Sequence, residues 1–478
     1  MTYLRGHPLD YNRWEQEGAA GWSWRHCLPY FKKMEHSQQI GSPYRGQDGF
    51  IFGIRKETLG PLNEAFLRAG GQMGYSFSED VNGYKQEGFS RFEMNVKDGI
   101  RSSASYGYLH SQPDNPNLTI WLDCRVVQIN MHGNHRAIGL KVFYAGEIRD
   151  VYAKAETLLC SGVFGSAQLL MLSGIGPGTQ LRKHNVYCKV NLPGVGENLQ
   201  DHPECHVQIE IKQPISLNRE LQLHRMIVAG GVQWIFFKTG VAAFNQCHVG
   251  AFLNSAADTL HPDIEIHFFP VFLDKNWYPV PDIYGFKLSL GPVRPTSRGK
   301  VTLIGNNIND PLDIDPNYMA TDEDWRVMRE AVRLGVEITR QDAFKPYYYR
   351  EDTPGIPIDD DKELDKFIRS GVASSYHPCG TCKMGADDDP MAVVDSLLRV
   401  RQVENLRVVD ASVMPSLPSA NIHATTIMLA EKSSDHILGR EPMGPDLQPF
   451  HMPKEPNSHL SEREEINSEL LIEALLGK

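Results

Sequence analysis

One stretch, residues 374–438, constrains this chain more than any other. It opens SSYHPCGTCKMG, passes through DP and NLRVVDAS, and closes SANIHATTIMLAEKSSDHIL, so His377 and His423 each stand beside a turn or a helix start. Pro378 and Gly380 fix a non-helical backbone after His377 and let the chain pass close to another group, which holds that imidazole on a loop. NLRVVDAS is a short β-branched run with Asp410 at its end, the pattern of a buried parallel strand with a polar tip. After a loop over residues 415–420 a helical period begins near His423, with Ile427, Ala430 and Ile437 on one face. The start of such a helix is electropositive, because its first N–H groups lack partners within the helix, and it favours negative charge. A histidine there is, taken alone, more often a cap or a satisfied core residue than a catalyst.

The rest of the composition narrows the class. With 478 residues, 41% of them hydrophobic, and a mean hydropathy of −0.36, the chain is large enough for two domains. A formal net charge of −11 and no basic cluster argue against a nucleic-acid partner. The first residues, MTYLRGHPLDYNRWEQ, have neither the apolar core of a signal peptide nor the Arg- and Ser-rich character of a transit peptide. The longest apolar run, residues 226–237, is broken by Gly230, Gly231 and Gln233 and is too short to cross a bilayer, so a core helix is expected there. Among eight scattered cysteines only Cys379 and Cys382 form a CxxC, with no second pair to complete a zinc site. A structural role is the simpler reading, and scattered thiols fit a reducing compartment.

The ordered series YHPxGTCKMG, DP, LRVVDAS and N-x-[HN]-A-x-T-x-M-x-AEK resembles the C-terminal signature of the glucose-methanol-choline (GMC) flavin oxidoreductases, most nearly its choline-oxidising members. The resemblance implies FAD as cofactor, an alcohol substrate with choline favoured, and an electron acceptor that is oxygen or a quinone. It makes His377 the catalytic base and His423 its partner at the flavin; choline-oxidising members usually carry Asn at the second place. It assigns Val126, Asp410, Ala411, Ala424 and Thr425 to the cofactor and Tyr376 to the substrate. A fixed positive charge needs aromatic faces and preferably a carboxylate, and Trp277, Tyr278, Glu265 and Asp274 are further candidates. Mitochondria are implied by the same resemblance.

The expected fold is α/β, with an α+β substrate domain: a GMC-type FAD-binding domain from residues 1–54, 99–215 and 375–440, and a sheet-and-helix substrate domain from residues 55–98 and 216–374. A dinucleotide site of this kind needs a strand, a G-x-G-x-x-G turn and a helix. No such turn occurs; GIGPG from Gly174 and GVGEN from Gly194 are weak imitations, so the first βαβ unit is expected to be missing. Residues 161–177, with Ala167 where Pro is usual, and GVGENLQDHP over residues 194–203 resemble further family hallmarks. Arg101 is open to two readings, structural or facing the cofactor. Helices are expected over residues 11–17, 24–34, 59–73, 322–340 and 361–370, and strands over 118–122, 126–131, 137–144 and 147–159 as an antiparallel meander. PDIEIHFFPV, KLSLGPVRP and GKVTLIG read as strands that would roof the flavin. Residues 441–478 form a Pro-rich tail ending in a capping-box helix from Ser461. Two other readings stand beside alcohol oxidation of choline: a GMC enzyme of other specificity, such as a sugar or aliphatic alcohol dehydrogenase, and a truncated, non-catalytic member.

Overall fold

Antiparallel pairing dominates the computed structural model, which describes residues 1–55 and 58–452. The largest sheet runs in the order Tyr348–Thr353, Pro203–Ile211, Gly285–Pro292, Ile264–Phe269, Val249–Leu253 and Gly88–Arg91, with the short strand Ala373–Ser374 paired to the start of Pro203–Ile211. Side chains alternate across a strand, and these strands use both faces differently. Cys205, Val207, Ile209, Ile264, Ile266, Phe268, Phe286, Leu288 and Leu290 point one way and are fully buried with Phe66, Met328 and Val332 from the helices Pro61–Gln72 and Asp322–Thr339. Glu204, His206, Glu265, His267, Lys287 and Ser289 occupy the alternate positions, so the sheet has one apolar and one polar face. The helix Asp322–Thr339 starts cleanly because Thr321 accepts from the Asp324 N–H and three acidic residues fill its first turn.

A second core gathers the helices Pro8–Gln16, Trp24–Met34, Gly162–Leu172 and His423–Ile437 around Trp14, Phe31, Leu170 and Met428. The expected parallel strand is present: Leu406–Val408 pairs in parallel with Thr157–Leu159. The helix over residues 24–34 appears as Trp24–Met34, and the remaining expected helices shift by one to three residues at their ends, where fraying makes boundaries soft.

Three expectations are corrected. Residues 118–122 form no strand, and the meander has three strands, Arg125–His132, Arg136–Tyr144 and Glu147–Tyr152. The single strand expected over residues 147–159 is two, because the chain leaves the meander after Tyr152 and re-pairs as Thr157–Leu159. The run over residues 226–237 is helical but not a core helix: Ile227, Val228, Phe236 and Phe237 are exposed, and Trp234 anchors it through its indole N–H to the Gly99 carbonyl at 2.7 Å. Apolar composition does not distinguish a buried helix from an uncovered one. The helix expected from Ser461 lies outside the described residues.

A buried ion cluster ties the N-terminal segment to the sheet region. The Arg45 guanidinium, with no exposed side-chain surface, meets Asp80 at 2.9 Å and Glu35 at 3.0 Å and also pairs with Glu93, while Arg5 reaches Glu35 at 2.6 Å. Removing one partner of such a set leaves buried charge uncompensated. Arg45→Met should therefore cost about 3–5 kcal/mol of stability, measured by denaturant unfolding; a loss below 1 kcal/mol would show that the carboxylates find other partners.

Candidate active site

The loop that carries His377 is held by the segment just before the long strand Pro203–Ile211. Asp201 accepts the His377 backbone N–H at 2.8 Å through one carboxylate oxygen and hydrogen bonds from the Tyr318 and Ser374 hydroxyls, each at 2.5 Å, through the other. The His202 carbonyl accepts the Ser375 N–H at 2.9 Å, and Gln200 and Cys379 exchange two backbone bonds. Gly380, at φ +94°, passes so close to the Asn198 carbonyl that a Cβ would lie 2.5 Å from its oxygen, which is why the motif needs glycine there.

The imidazoles are ordered by what they touch. His202 Nε2 lies 3.0 Å from the Val293 carbonyl, which only accepts, so Nε2 carries the proton and Nδ1 is bare. His377 Nδ1, 3.1 Å from that bare nitrogen, must donate, leaving His377 Nε2 with a lone pair. The Asn421 amide donates to this lone pair at 2.8 Å, and its oxygen accepts from His267 Nε2 at 3.2 Å. These tautomers are assigned from the network as a whole.

Above the imidazoles lies the polar face of the sheet. Strand register puts His267 opposite both Gly250 and Ser289, and Ser289 opposite His206. Glu204 accepts from the Ser375 hydroxyl at 2.8 Å, and Glu265 sits 3.3 Å from His267 with one oxygen that receives no hydrogen bond. His202, Glu204, Glu265, His267, Ser289 and Ser375 enclose a cavity of about 10 Å³, room for about one water.

Burial sets the charge state. It lowers His377 well below the ordinary imidazole value, helped by His202 and His267, and brings His267 to about 4 and His206 to about 3; His423, at the surface end of its helix, is lowered as well. The same cause raises Glu204, and raises Glu265 well above the carboxylate range with help from Glu204. Lys287 comes down to about 8, with its ammonium 4.1 Å from the Trp277 ring centre. At neutral pH the site therefore holds uncharged imidazoles able to accept a proton.

The residues expected at a cofactor differ in freedom. Asp410 spends its carboxylate inside the protein: Gly162 N–H at 2.9 Å and Ser166 hydroxyl at 2.6 Å on one oxygen, Ser412 N–H at 2.9 Å and hydroxyl at 2.5 Å on the other. Ala411 begins the short turn that follows. Ala424 and Thr425 are buried in the first turn of His423–Ile437, and the Thr425 hydroxyl pairs with Tyr11 at 2.8 Å. Val126 lies in the meander opposite Val142. His423 opens its helix and is exposed, two residues past Asn421; the hydrogen-bond partner of His377 on this segment is Asn421. Tyr376 is 88% exposed at φ +61°. Among the guessed aromatic and acidic residues, Glu265 and Trp277 reach the polar face, Trp277 packing edge-on to His206 at 4.6 Å, whereas Tyr278 and Asp274 belong to an outer turn. Arg101 is exposed, and its charge helps to lower His423.

These features fit a flavin. The helix His423–Ile437 begins without a side-chain cap, so its first N–H groups remain available, and Gly162, whose own N–H is held by Asp410, borders open space at φ +76°.

Comparison with known proteins agrees. Two family models described as GMC oxidoreductase match residues 1–204 and 295–430. An oxygen-dependent choline dehydrogenase of Brucella anthropi is 42% identical over 455 residues, covering 95% of this chain and 82% of its own length. Mouse mitochondrial choline dehydrogenase is 41% identical over 95% of this chain and 76% of its own. Among solved structures, pyridoxine 4-oxidase from Mesorbium loti superposes with a TM-score of 0.82 at 30% identity, covering 92% of this chain and 82% of that one. A formate oxidase from Aspergillus oryzae, studied for modification of its FAD, gives 0.84 at 25% identity with the same coverage. The chain belongs to the GMC oxidoreductase family. It is an FAD-dependent oxidoreductase acting on CH–OH donors.

Sequence reasoning did not single out Asp201, His202, His267 or Asn421 as site residues. Two of them lie in GVGENLQDHP and Asn421 in the N-x-H motif, both already noted; His267 is signalled only by the polar alternation of IEIHFF. The lowered histidines have a thermodynamic consequence. Below about pH 6.5 the unfolded chain binds protons at these residues that the folded chain refuses, so stability is lost as pH falls. Glu204 and Glu265 act in the opposite sense but are outnumbered by His7, His206, His261, His267, His377 and His423. Unfolding free energy should fall between pH 6.5 and 5, and His206→Gln should flatten that slope by up to one proton; a pH-independent midpoint contradicts the assignment.

Proposed function

We propose that this chain oxidises choline to betaine aldehyde, with His377 as the base that takes the alcohol proton. The observation that carries the reading is the bare Nε2 of His377, half-buried and neutral, directed at Asn421 beneath the polar face of the sheet. FAD, when bound, supplies the acceptor for the hydride that leaves the carbinol carbon. The protein's part is positional. The alcohol hydroxyl replaces the Asn421 amide as the donor to Nε2, and the freed amide N–H, together with His423, is proposed to hold the alcohol oxygen as charge develops on it. Val126, Asp410, Ala411, Ala424 and Thr425 line or brace the cofactor side, Asp410 by fixing the start of Gly162–Leu172. Residues 1–54, 99–215 and 375–440 would carry the flavin and residues 55–98 and 216–374 the substrate, with the strand Pro203–Ile211 serving both.

Choline is favoured by its oxidation in the names of the Brucella and mouse relatives, and by Glu204, Glu265 and the Trp277 ring on the polar face. Tyr376 would join them only by turning inward. Lys287, lowered by burial to about 8, opposes a cation and does so less as pH rises through that value. Another alcohol remains the second reading, because His423 stands where choline-oxidising members usually have Asn. Oxygen is the proposed electron acceptor, as in the names of the bacterial relatives, with a quinone as the alternative. A mitochondrial location rests on the mouse relative's name alone.

Titrating the chain with FAD and then adding choline without oxygen tests all of this. The flavin absorbance should bleach with choline and not with glucose, and His377→Ala should slow bleaching by roughly 10² to 10⁴ while flavin affinity is retained. Bleaching at an unchanged rate in that variant would remove His377 as the base. No flavin uptake would identify the chain as a non-catalytic member.

A further inference from the structure

We infer that His202 is a positioning residue that fixes the tautomer of His377, and so decides which of its nitrogens is the base. This rests on the proposal that His377 is that base. The geometry leaves His202 little else to do. It is 3% exposed, its Nε2 ends on the Val293 carbonyl at 3.0 Å, and its ring lies edge-on to His377 with centres 5.1 Å apart. A carbonyl cannot pass a proton on, so the pair is an anchor and not a relay.

The alternative tautomer is penalised twice. With the proton on His202 Nδ1, its bare Nε2 would face the Val293 carbonyl lone pairs at 3.0 Å, and His377 would be forced to carry its proton on Nε2 against the Asn421 amide donor at 2.8 Å. The residues beside it fix the same partner by backbone: Asp201 grips the His377 N–H and the His202 carbonyl grips the Ser375 N–H. Residues 201 and 202 thus set both the backbone position and the ring state of His377.

Without an acceptor at this place the His377 Nδ1–H is buried unpaired, and the ring gains by moving its proton to Nε2 or by rotating. His202→Leu should lower kcat for the alcohol roughly 10- to 100-fold with little change in KM, since the side chain does not touch substrate. His202→Asn, whose amide oxygen can stand near the original Nδ1, should recover most of the rate; a merely space-filling role would be rescued by Leu instead.

The direct readout needs no turnover. In the chain labelled with ¹⁵N-histidine, with resonances assigned by their disappearance in His377→Ala, His377 should show a proton on Nδ1 and a bare Nε2. In His202→Leu this single tautomer should give way to a mixture or to the other form. A proton on Nε2 in the unsubstituted chain overturns the inference, as does an unchanged His377 spectrum in His202→Leu. If His377→Ala keeps full turnover while the spectra behave as expected, the base assignment fails and the tautomer anchor stands.

Discussion

The antiparallel seam between residues 200–204 and 373–379 is the constraint on which the site depends. Glu204 pairs with Ala373, Pro203 with Ser374, and Gln200 with Cys379. Between these fixed points His377 has little latitude, because its backbone N–H is already committed to Asp201 and its ring to His202. Backbone ladders are cooperative and obligatory, since unpaired buried N–H and C=O groups cost free energy comparable to a lost hydrogen bond. A loop residue stapled on both sides by such a ladder is as rigid as one on a strand. The proline and glycine after His377 remove competing helical pairings and permit the close pass over Asn198.

The seam continues into a strand whose two faces have separate duties. Cys205, Val207 and Ile209 pack the apolar side, while Glu204 and His206 face the other way. Burying polar groups is tolerated only when they are paired or uncharged. The polar face meets that condition mainly by discharge: histidines stay neutral and Glu265 holds its proton, while Lys287, lowered to about 8, keeps its charge against the Trp277 ring. A neutral, buried and ordered set of imidazoles suits abstraction of a proton from a hydroxyl, because a base must begin unprotonated at the working pH.

Much of this was legible in the residues, and the failures are instructive. Trp24–Met34 and Leu406–Val408 declare themselves through periodicity and β-branching, which act over a few residues. The polar alternation of IEIHFF signals a half-buried strand, but nothing local says that His267 will meet Asn421, 154 residues later in the chain. Asp201 and His202 were visible as a hallmark sequence, but their partners are 176 and 175 residues away. The misjudged run over residues 226–237 shows the converse: local apolarity was read as burial, whereas burial depends on whether another element covers the segment. Site geometry is assembled by long-range pairing, so a one-dimensional pattern identifies the members of a site more readily than their bonds.

The spacing N-x-H acquires a physical meaning from this. Asn421 precedes the helix His423–Ile437 and His423 is its first residue, with Ile422 at the cap between them. Residues two apart at a helix start do not face each other. Asn421 accordingly turns toward His377 and His267, under the polar face, while His423 is exposed beside the uncapped N–H groups of the first turn. One short turn thus carries an amide bound to His377 and, two residues on, the imidazole that opens the helix. A reaction that removes a proton and a hydride from one alcohol needs the oxygen and the carbinol carbon held at once. A helix start can do this without a separate scaffold, because its backbone is rigid from the first turn and its own dipole favours the negative charge that arrives there.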